Sequence, residues 1–241
     1  MRYAIVSDVH SNLESLQQAL SRIAVDDELV SLGDVVGYGP NPNECIALLI
    51  ERARHAVLGN HDLAAAENFG VENFNHAARE AIAWTQKALD ERSRGWLNSL
   101  PYELRLPSFL FVHGAPVDYF EYILDKDTAA RAFDRTDARI IFVGHTHIAE
   151  YWVRDEAGNV GHKHMQQGGE LTLEATNRYI IDVGSVGQPR DLNPEPCFVF
   201  YDSDRQHVQW VRYDYPIAEV QRKMRAAGLP AYLADRLSVG R

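Results

Sequence analysis

The sequence predicts an α/β (α+β) fold in which two mixed β-sheets pack face to face and helices cover their outer surfaces. The first sixty residues alternate short apolar runs with amphipathic segments, a pattern typical of strand–helix–strand units around a parallel sheet. After Glu150 the chain alternates apolar and polar residues as antiparallel strands do, so we expect this half to form the second sheet. The chain has 241 residues, 46% of them hydrophobic, which is enough for the core of such a sandwich.

The first three strands are predicted at residues 3–6, 29–32 and 56–58. Between the first two, apolar residues recur at helical spacing from Leu13 onward, with Asn12 or Ser11 as the expected N-cap. A second helix is expected to include residues 45–50, after the turn-forming stretch GDVVGYGPNP.

The rest of the chain begins with a helical segment and then returns to strands. Residues 63 to about 100 have a helical pattern that no strand interrupts, so we predict a helical insertion there. Strands are predicted again at residues 109–112 and 140–143, and the tail is helical from Ile217 with a break near Gly228. Because no repeat or linker divides the chain, we expect a single domain over residues 1–241.

The composition excludes several classes of protein. With 24 Lys and Arg against 34 Asp and Glu, the net charge of −10 argues against a nucleic-acid scaffold. No run approaches the roughly 18–20 apolar residues that span a bilayer, and MRYAIVSDVH does not resemble a signal peptide. Two cysteines, Cys45 and Cys197, are too few for a disulfide framework and are expected in the core. We therefore expect a cytoplasmic protein with no membrane partner; its oligomeric state is left open.

Polar side chains with metal-binding chemistry follow five of the predicted strands. The segments are Asp8-Val9-His10, Gly33-Asp34, Gly59-Asn60-His61-Asp62, His113-Gly114 and Gly144-His145-Thr146-His147. In an open α/β sheet, ligands gather at the carboxyl ends of the strands. Asp8 and His10 are two residues apart, as are His145 and His147, and extended backbone would aim both members of a pair the same way. One crevice supplied by five strand ends is therefore expected.

The ordered set DxH, GDxxG, GNHD, His-Gly and GHTH resembles the calcineurin-like metallophosphoesterases, in particular their small bacterial and archaeal branch. All five blocks occur in order between residues 8 and 147. The resemblance implies a four-layer αββα sandwich with a dinuclear metal site. Asp8, His10 and His147 would hold one ion, Asn60, His113 and His145 the other, and Asp34 would bridge them.

The resemblance also implies the cofactor and the reaction. Oxygen and imidazole ligands without thiolate suit two divalent ions among Mn, Fe, Zn, Co and Ni, with Mn favoured. Such a pair activates a hydroxide for attack on phosphorus, and its positive charge offsets the acidity of the chain toward an anionic substrate. His61, which is not itself a ligand, would protonate or stabilise the leaving oxygen. Asp62 would fix the tautomer of that imidazole.

Three further residues are candidates for substrate binding, each with a plainer alternative. Arg190, in the loop GSVGQPRD, would grip a phosphate oxygen or else pair with Asp182 or Asp191. Tyr38 and Asn41 follow Asp34 and would line the pocket or serve the turn alone. The remaining histidines, His162 and His164 among them, receive no functional role.

The predicted function is hydrolysis of a phosphomonoester or phosphodiester, with a small organic phosphate or a nucleotide as substrate. The alternatives are a phosphoprotein (Ser/Thr) phosphatase and a dinucleoside polyphosphate hydrolase, because the fold fixes the reaction more closely than the substrate. A non-catalytic binding scaffold is the alternative from another class, and the intact ligand set argues against it. The aromatic residues Phe69, Phe74, Trp84 and Trp96 in the helical insertion would form its own core, or the insertion would act as a lid.

Overall fold

A computed structural model describes residues 1–241, and its strands occupy most of the regions where the sequence predicts them. In chain order they are β1 (Arg2–Val6), β2 (Glu28–Ser31), β3 (His55–Ala56), β4 (Glu103–Arg105), β5 (Phe109–Val112), β6 (Ile140–Val143), β7 (Ala149–Arg154), β8 (Val160–His164), β9 (Gly169–Thr172), β10 (Arg178–Val183), β11 (Cys197–Asp202) and β12 (His207–Arg212). The third strand is shorter than predicted and begins earlier. Strands β4 and β8 were not predicted.

The helices cluster in the first half of the chain and at its end. They are α1 (Leu13–Leu20), α2 (Pro42–Arg52), α3 (Asn60–Glu67), α4 (His76–Ala88), α5 (Glu91–Asn98), α6 (Lys126–Asp134), α7 (Ile217–Ala226) and α8 (Ala231–Asp235), with two 3-10 turns at Val71–Asn73 and Arg236–Ser238. The side chain of Asn12 accepts the N–H of Ser15 and caps α1, as predicted. None of these helices has the length and apolar character needed to cross a membrane.

The two sheets each contain six strands, in the orders β3-β2-β1-β11-β12-β9 and β4-β5-β6-β10-β7-β8. The expectation that the second half of the chain forms its own sheet is wrong. Strand β1 pairs parallel with β2 on one side and antiparallel with β11 on the other. Strand β10 likewise pairs parallel with β6 and antiparallel with β7. Both sheets are therefore mixed, and each combines strands from both halves of the chain.

Three apolar clusters define four layers. One lies between the sheets, where Ile5 of β1 and Val199 of β11 meet Phe142 of β6 and Ile181 of β10. A second packs the outer face of the first sheet against α1 and α2, and a third packs the outer face of the second sheet against α6. The predicted sandwich of two sheets between helices is confirmed. Cys45 and Cys197 are fully buried in these clusters, as expected.

Helices α3, α4 and α5 fill the region between β3 and β4, where the sequence predicts the helical insertion. Helix α3 contacts α4 and α5, and both of these contact α2. Residues of α4 also join an apolar cluster with α7, α8 and Tyr38, whose members include Ala78, Val220 and Leu233. The helical segment is thereby packed beside the loops that leave the first sheet.

Candidate metal centre

The candidate ligands follow the carboxyl ends of five strands, and the two sheets bring these ends together. Strands β1, β2 and β3 are parallel in one sheet, and β5 and β6 are parallel in the other. Two hydrogen bonds join the loops of the two sheets: the N–H of His145 donates to Asp8 Oδ2 (2.9 Å), and His113 Nδ1 lies 2.8 Å from the carbonyl of Leu32. The crevice predicted from the motifs is thus built by the sandwich itself.

The structure gathers the candidate ligands into two groups that share Asp34. Ligand atoms of Asp8, His10, Asp34 and His147 lie within 4.8 Å of one another, as do those of Asp34, His113 and His145. Asn60 adjoins the second group, with Oδ1 3.2 Å from His113 Nε2. Apart from the half-buried Asn60, all of these side chains are buried.

Asp34 stands between the two groups. Its Oδ1 accepts the N–H of His61 at 2.8 Å. Its Oδ2 lies 3.7 Å from His10 Nε2 and 3.4 Å from His113 Nε2. One oxygen therefore faces both groups, as a bridging carboxylate must.

The imidazoles of His10 and His147 are oriented by backbone carbonyls. His10 Nδ1 lies 3.0 Å from the Val36 oxygen, and His147 Nδ1 lies 2.6 Å from the Gln188 oxygen. Because a carbonyl only accepts, each Nδ1 carries the hydrogen and each Nε2 presents a lone pair. The two Nε2 atoms lie 3.2 Å apart. The nearby Asp8 Oδ1, 3.1 Å from His147 Nε2, has no hydrogen-bond donor.

Three acceptor atoms, His10 Nε2, His147 Nε2 and Asp8 Oδ1, thus converge on one point, where a cation would fit. Lone pairs repel one another at this distance, and a shared proton or a metal ion would remove the repulsion. Burial first, and then the charge of Arg190, lower the pKa of His147 to about 4. A proton shared between these acceptor atoms is therefore disfavoured at neutral pH. The residues present therefore fit a divalent metal in the first group.

Backbone carbonyls also orient the imidazoles of the second group, but here one of the two histidines, His113, is protonated. His145 Nε2 lies 3.0 Å from the Phe120 carbonyl, so its Nδ1 presents a lone pair to His113 Nε2, 3.0 Å away. Burial, and then the charge of His113, lower the pKa of His145 to about 3. Burial opposes the charged form of His113 as well, but the Asp34 carboxylate prevails and raises its pKa to about 9. Without a metal, a proton on His113 therefore occupies this group.

Both carboxylates are held in the ionised form that metal ligation needs. Burial favours the neutral acid, but the surrounding imidazoles outweigh it. His147 and His10 are the main contributors that keep the pKa of Asp8 well below its usual value. His113 and His61 do the same for the pKa of Asp34.

The backbone at the candidate ligands differs from the extended form assumed from the sequence. Left-handed φ angles occur at Asp8 (54°), His10 (48°), Asp34 (49°), His145 (68°) and His147 (63°). Tight turns rather than a strand thus bring Asp8 and His10 to the same group, whereas His145 and His147 reach different groups. Such a conformation is costly for residues with a Cβ and is concentrated at functional sites.

Two glycines allow the close approach of these turns. A Cβ at Gly59 would lie 2.1 Å from Asp34 Oδ1, and one at Gly144 would lie 2.6 Å from Asp8 Oδ2. Each glycine thus leaves room for a carboxylate that reaches the centre.

His61 is buried beside the first group. Its ring centroid lies 4.8 Å from that of His10 and 4.5 Å from those of Tyr38 and Phe74. Its Nδ1 is buried without a hydrogen-bond partner. Burial holds its pKa well below the usual value, so the imidazole is neutral at neutral pH.

The resemblance had implied that Asp62 fixes the tautomer of His61, but the two side chains are not hydrogen-bonded. Asp62 Oδ1 accepts the N–H of Val36 at 3.0 Å, and its Oδ2 accepts the N–H of Gly59 at 3.2 Å. In the first turn of α3, this side chain bends back toward the amino end of the helix and away from the imidazole. Asp62 therefore ties together the two loops that carry Asp34 and Asn60. Burial, and then the charge of Asp34, raise its pKa to about 7.

The three candidate substrate contacts are placed differently. Arg190 makes no ion pair with Asp182 or Asp191, because Asp191 pairs with Arg212 and Asp182 accepts from Thr146. Its guanidinium lies 3.4 Å from the hydroxyl of Tyr38. Tyr38 is buried, with its ring centroid 4.5 Å from that of His10. Asn41 is turned away from the centre: its amide donates to Glu44, and none of its hydrogen bonds reaches a candidate ligand.

A cavity of about 380 Å³ opens beside the second group. Its lining includes Asn60 and His145, and its apolar walls are Leu63, Phe69, Phe74, Phe120 and Tyr122. Tyr122 stacks on His145 with a centroid distance of 3.8 Å. Phe120 and Tyr122 were missed in the sequence analysis, although the segment DYFEY soon after His113-Gly114 is rich in aromatic residues. Phe69, expected in the core of the insertion, is 66% exposed.

Comparisons with known proteins agree with this construction. The sequence model of the calcineurin-like phosphoesterase superfamily domain matches residues 1–206. A crystal structure of a metallophosphoesterase from Sphaerobacter thermophilus is 40% identical, covers 100% of both chains and superposes with a TM-score of 0.91. An uncharacterised protein of Methanocaldococcus jannaschii is 34% identical over 99% of this chain and 98% of its own length. A hypothetical protein from Pyrococcus horikoshii, 17% identical over 100% of this chain and 98% of its own, shares the fold with a TM-score of 0.80.

Proposed function

Because the chain belongs to the calcineurin-like phosphoesterase superfamily and is a metallophosphoesterase, we propose that it hydrolyses a small organic phosphate or nucleotide with two divalent ions. The observation that carries this proposal is the pair of ligand groups sharing Asp34. The first ion would be held by Asp8, His10 and His147, and the second by Asn60, His113 and His145. The substrate would be a phosphomonoester or a phosphodiester.

The bound ions would supply Lewis acidity toward the phosphoryl oxygens and lower the pKa of the attacking water. The donor set is made of oxygen and imidazole nitrogen, which suits Mn, Fe, Zn, Co or Ni. Mn remains the favoured ion. The protein's own part is to fix each imidazole by a carbonyl on its far nitrogen, which sets the tautomer before any ligand arrives.

His61 is the residue that we assign to the leaving group. It is not in either ligand group, yet its ring centroid lies 4.8 Å from that of His10, so the imidazole borders the first group. A neutral imidazole can donate an N–H to the leaving oxygen, and a bound phosphate dianion would raise its pKa toward the protonated form. The absence of a hydrogen bond to Asp62 leaves the ring orientation to its packing against Tyr38 and Phe74.

Arg190 is proposed to hold a phosphate oxygen. Its backbone N–H donates to the carbonyl of His147 at 3.1 Å, which fixes it at the edge of the first group. Its side chain has no carboxylate partner, and its Nε lacks a hydrogen-bond partner. A guanidinium in that state can form charge-assisted bonds to a phosphoryl oxygen. Tyr38 would support it through the hydroxyl and the ring face.

The cavity beside the second group favours a substrate with a planar organic part. Phe69 and Phe74 line one side, and Phe120 and Tyr122 line another. Aromatic walls of this kind stack on a nucleobase or an aryl group. Residues of the helical segment supply part of the wall, which narrows the cavity and disfavours a folded phosphoprotein. The helical segment would thus select substrates by size.

Two assays test this proposal. The first measures hydrolysis of p-nitrophenyl phosphate and its bis ester with and without Mn, and we expect activity that a chelator abolishes. The second compares nucleoside monophosphates with glycerol phosphate, and we expect higher kcat/KM for the nucleotides. Phe69→Ala should lower kcat/KM for nucleotides about fivefold and leave glycerol phosphate unchanged, since one aromatic contact contributes about 1 kcal/mol.

Val25→Ala is the matched control, because Val25 is 89% exposed and does not line the cavity. Chelator-resistant turnover would refute the metal mechanism. A preference for a phosphorylated protein or a dinucleoside polyphosphate over every small phosphate would refute the substrate class and leave the metal mechanism standing.

A further inference from the structure

A second kind of histidine cluster lies on the hairpin of β7 and β8, outside the proposed dinuclear centre. The antiparallel register places Glu150 directly opposite His164 and Trp152 opposite His162. Because residues two apart on a strand point to the same face, Glu150, His162 and His164 share one face of this hairpin. The sequence analysis gave these two histidines no role.

The three side chains meet at one carboxylate oxygen. Glu150 Oε2 lies 2.7 Å from His162 Nε2 and 3.0 Å from His164 Nδ1. All three donor atoms lie within 4.8 Å of one another. Glu150 is buried, whereas the side chains of His162 and His164 are 23% and 61% exposed. The cluster is therefore closed on the side of the sheet and open to solvent on the other.

No fixed positive charge is paired with Glu150. On the opposite strand β10, the buried Asp182 is its direct neighbour, and Asp191 adds a further acidic charge. Arg212 is paired with Asp191, and the ion pairs of Glu150 are formed with His162 and His164 alone. Burial, and then the repulsion between the two acids, raise the pKa of Asp182 well above its usual value. Two adjacent buried carboxyl groups thus lack a permanent positive partner.

We propose that Glu150, His162 and His164 form a separate site for one divalent transition-metal ion of the zinc type. A carboxylate oxygen and two imidazole nitrogens are ligands that zinc accepts, and solvent would complete a tetrahedron. Around an ion with bonds of about 2.1 Å, such donors stand about 3.4 Å apart. Each nitrogen therefore has to withdraw from Glu150 Oε2 by less than about 1 Å. The exposure of His164 gives it room to do so.

The ion would stabilise the edge strand β8 of the second sheet. Strand β8 is the last strand in that sheet and is held by β7 on one side only. A bond network through the metal would tie β8 to the buried Glu150 and offset the charge next to Asp182. Because the folded chain alone presents the three donors together, binding would stabilise the native state.

The test counts zinc ions per chain by native mass spectrometry at a buffered free zinc concentration. The double variant His162→Ala/His164→Ala should carry one zinc fewer than the wild type. The control is His76→Ala/His207→Ala, since each of these histidines faces a single exposed glutamate and builds no three-donor cluster. The control should keep the wild-type count. Equal counts in the double variant and the wild type would overturn the proposal.

A second measurement does not depend on the double variant folding. Anomalous scattering at the zinc edge from crystals of the wild type grown with zinc should show a peak within bonding distance of the three donors. A map with peaks at the dinuclear centre and none at this hairpin would also refute the site. In addition, His164→Ala alone changes an exposed side chain and should weaken zinc binding at the hairpin at least about tenfold.

Discussion

The Nε2 atoms of His10 and His147 lie 3.2 Å apart, each held there by a carbonyl that accepts from the other nitrogen of its ring. This contact brings two acceptor atoms together, next to a third on Asp8. An arrangement of this kind is stable with a cation between the acceptors and repulsive without one. The positions of these three acceptor atoms thus fit the proposed metal site.

We expect His147→Ala to lower the metal content and to reduce phosphoesterase activity at least about 100-fold, because the first group loses one of its two imidazoles. The metal content is measured by plasma mass spectrometry after dialysis, alongside kcat/KM. His76→Ala is the control, since the His76 side chain is 80% exposed. Full metal content and activity in His147→Ala would contradict the assignment.

His61→Ala should keep its metal content and lose most of its turnover. His61 lies outside both ligand groups, so its removal leaves every donor atom in place. The loss should fall on kcat, and it should be smaller for p-nitrophenyl phosphate than for alkyl phosphates, because nitrophenolate needs no proton to leave. A variant with unchanged kcat on alkyl phosphates would show that His61 has a packing role alone.

Metal affinity should increase with pH between about 6 and 8, by about tenfold per pH unit. In the metal-free protein His113 has a pKa of about 9, so a metal must displace its proton throughout this range. His145 and His147, with pKa values of about 3 and 4, are already neutral there and add no slope. Calorimetry in buffers of different ionisation enthalpy measures the proton released. Binding without proton release at pH 7 would contradict this order of protonation.

Gly59→Ala should damage the metal centre from a position that bears no ligand. Its Cβ would lie 2.1 Å from Asp34 Oδ1, so the carboxylate or the turn must move. We expect a loss of about 1–3 kcal/mol in the free energy of unfolding together with reduced metal binding. Gly95→Ala is the matched control: nothing lies within 4 Å of its Cβ, and alanine should stabilise α5 by up to about 1 kcal/mol. Chemical denaturation and metal analysis of both variants provide the comparison.

The sequence predicted the sandwich because its central strands are continuous apolar runs. The same local patterns could not show that β1 pairs with β11, since this partner lies about two hundred residues away and either sheet would bury the same faces. Strands β4 and β8 escaped prediction for a different reason. They lie at the edges of the second sheet and contain no buried residue, so they lack the apolar signal that identifies a strand.

The candidate ligands were predicted from their positions after strands, whereas the hydrogen bonds and aromatic contacts around them were not. The side chain of Asp62 turns toward Gly59 because it lies in the first turn of α3, a detail that depends on where the helix begins. Tyr122 stacks on His145 across two loops, and no spacing in the sequence reports that contact.

The left-handed turns at five of the candidate ligands have an evolutionary consequence. Each such turn costs a residue with a Cβ on the order of 1 kcal/mol or more, so the catalytic loops are destabilising in their own right. A lineage released from selection for phosphate chemistry would gain stability by admitting glycine or asparagine at these positions. Erosion of the metal-binding motifs would then be favoured by folding itself, and their persistence in a descendant would record continued use of the reaction.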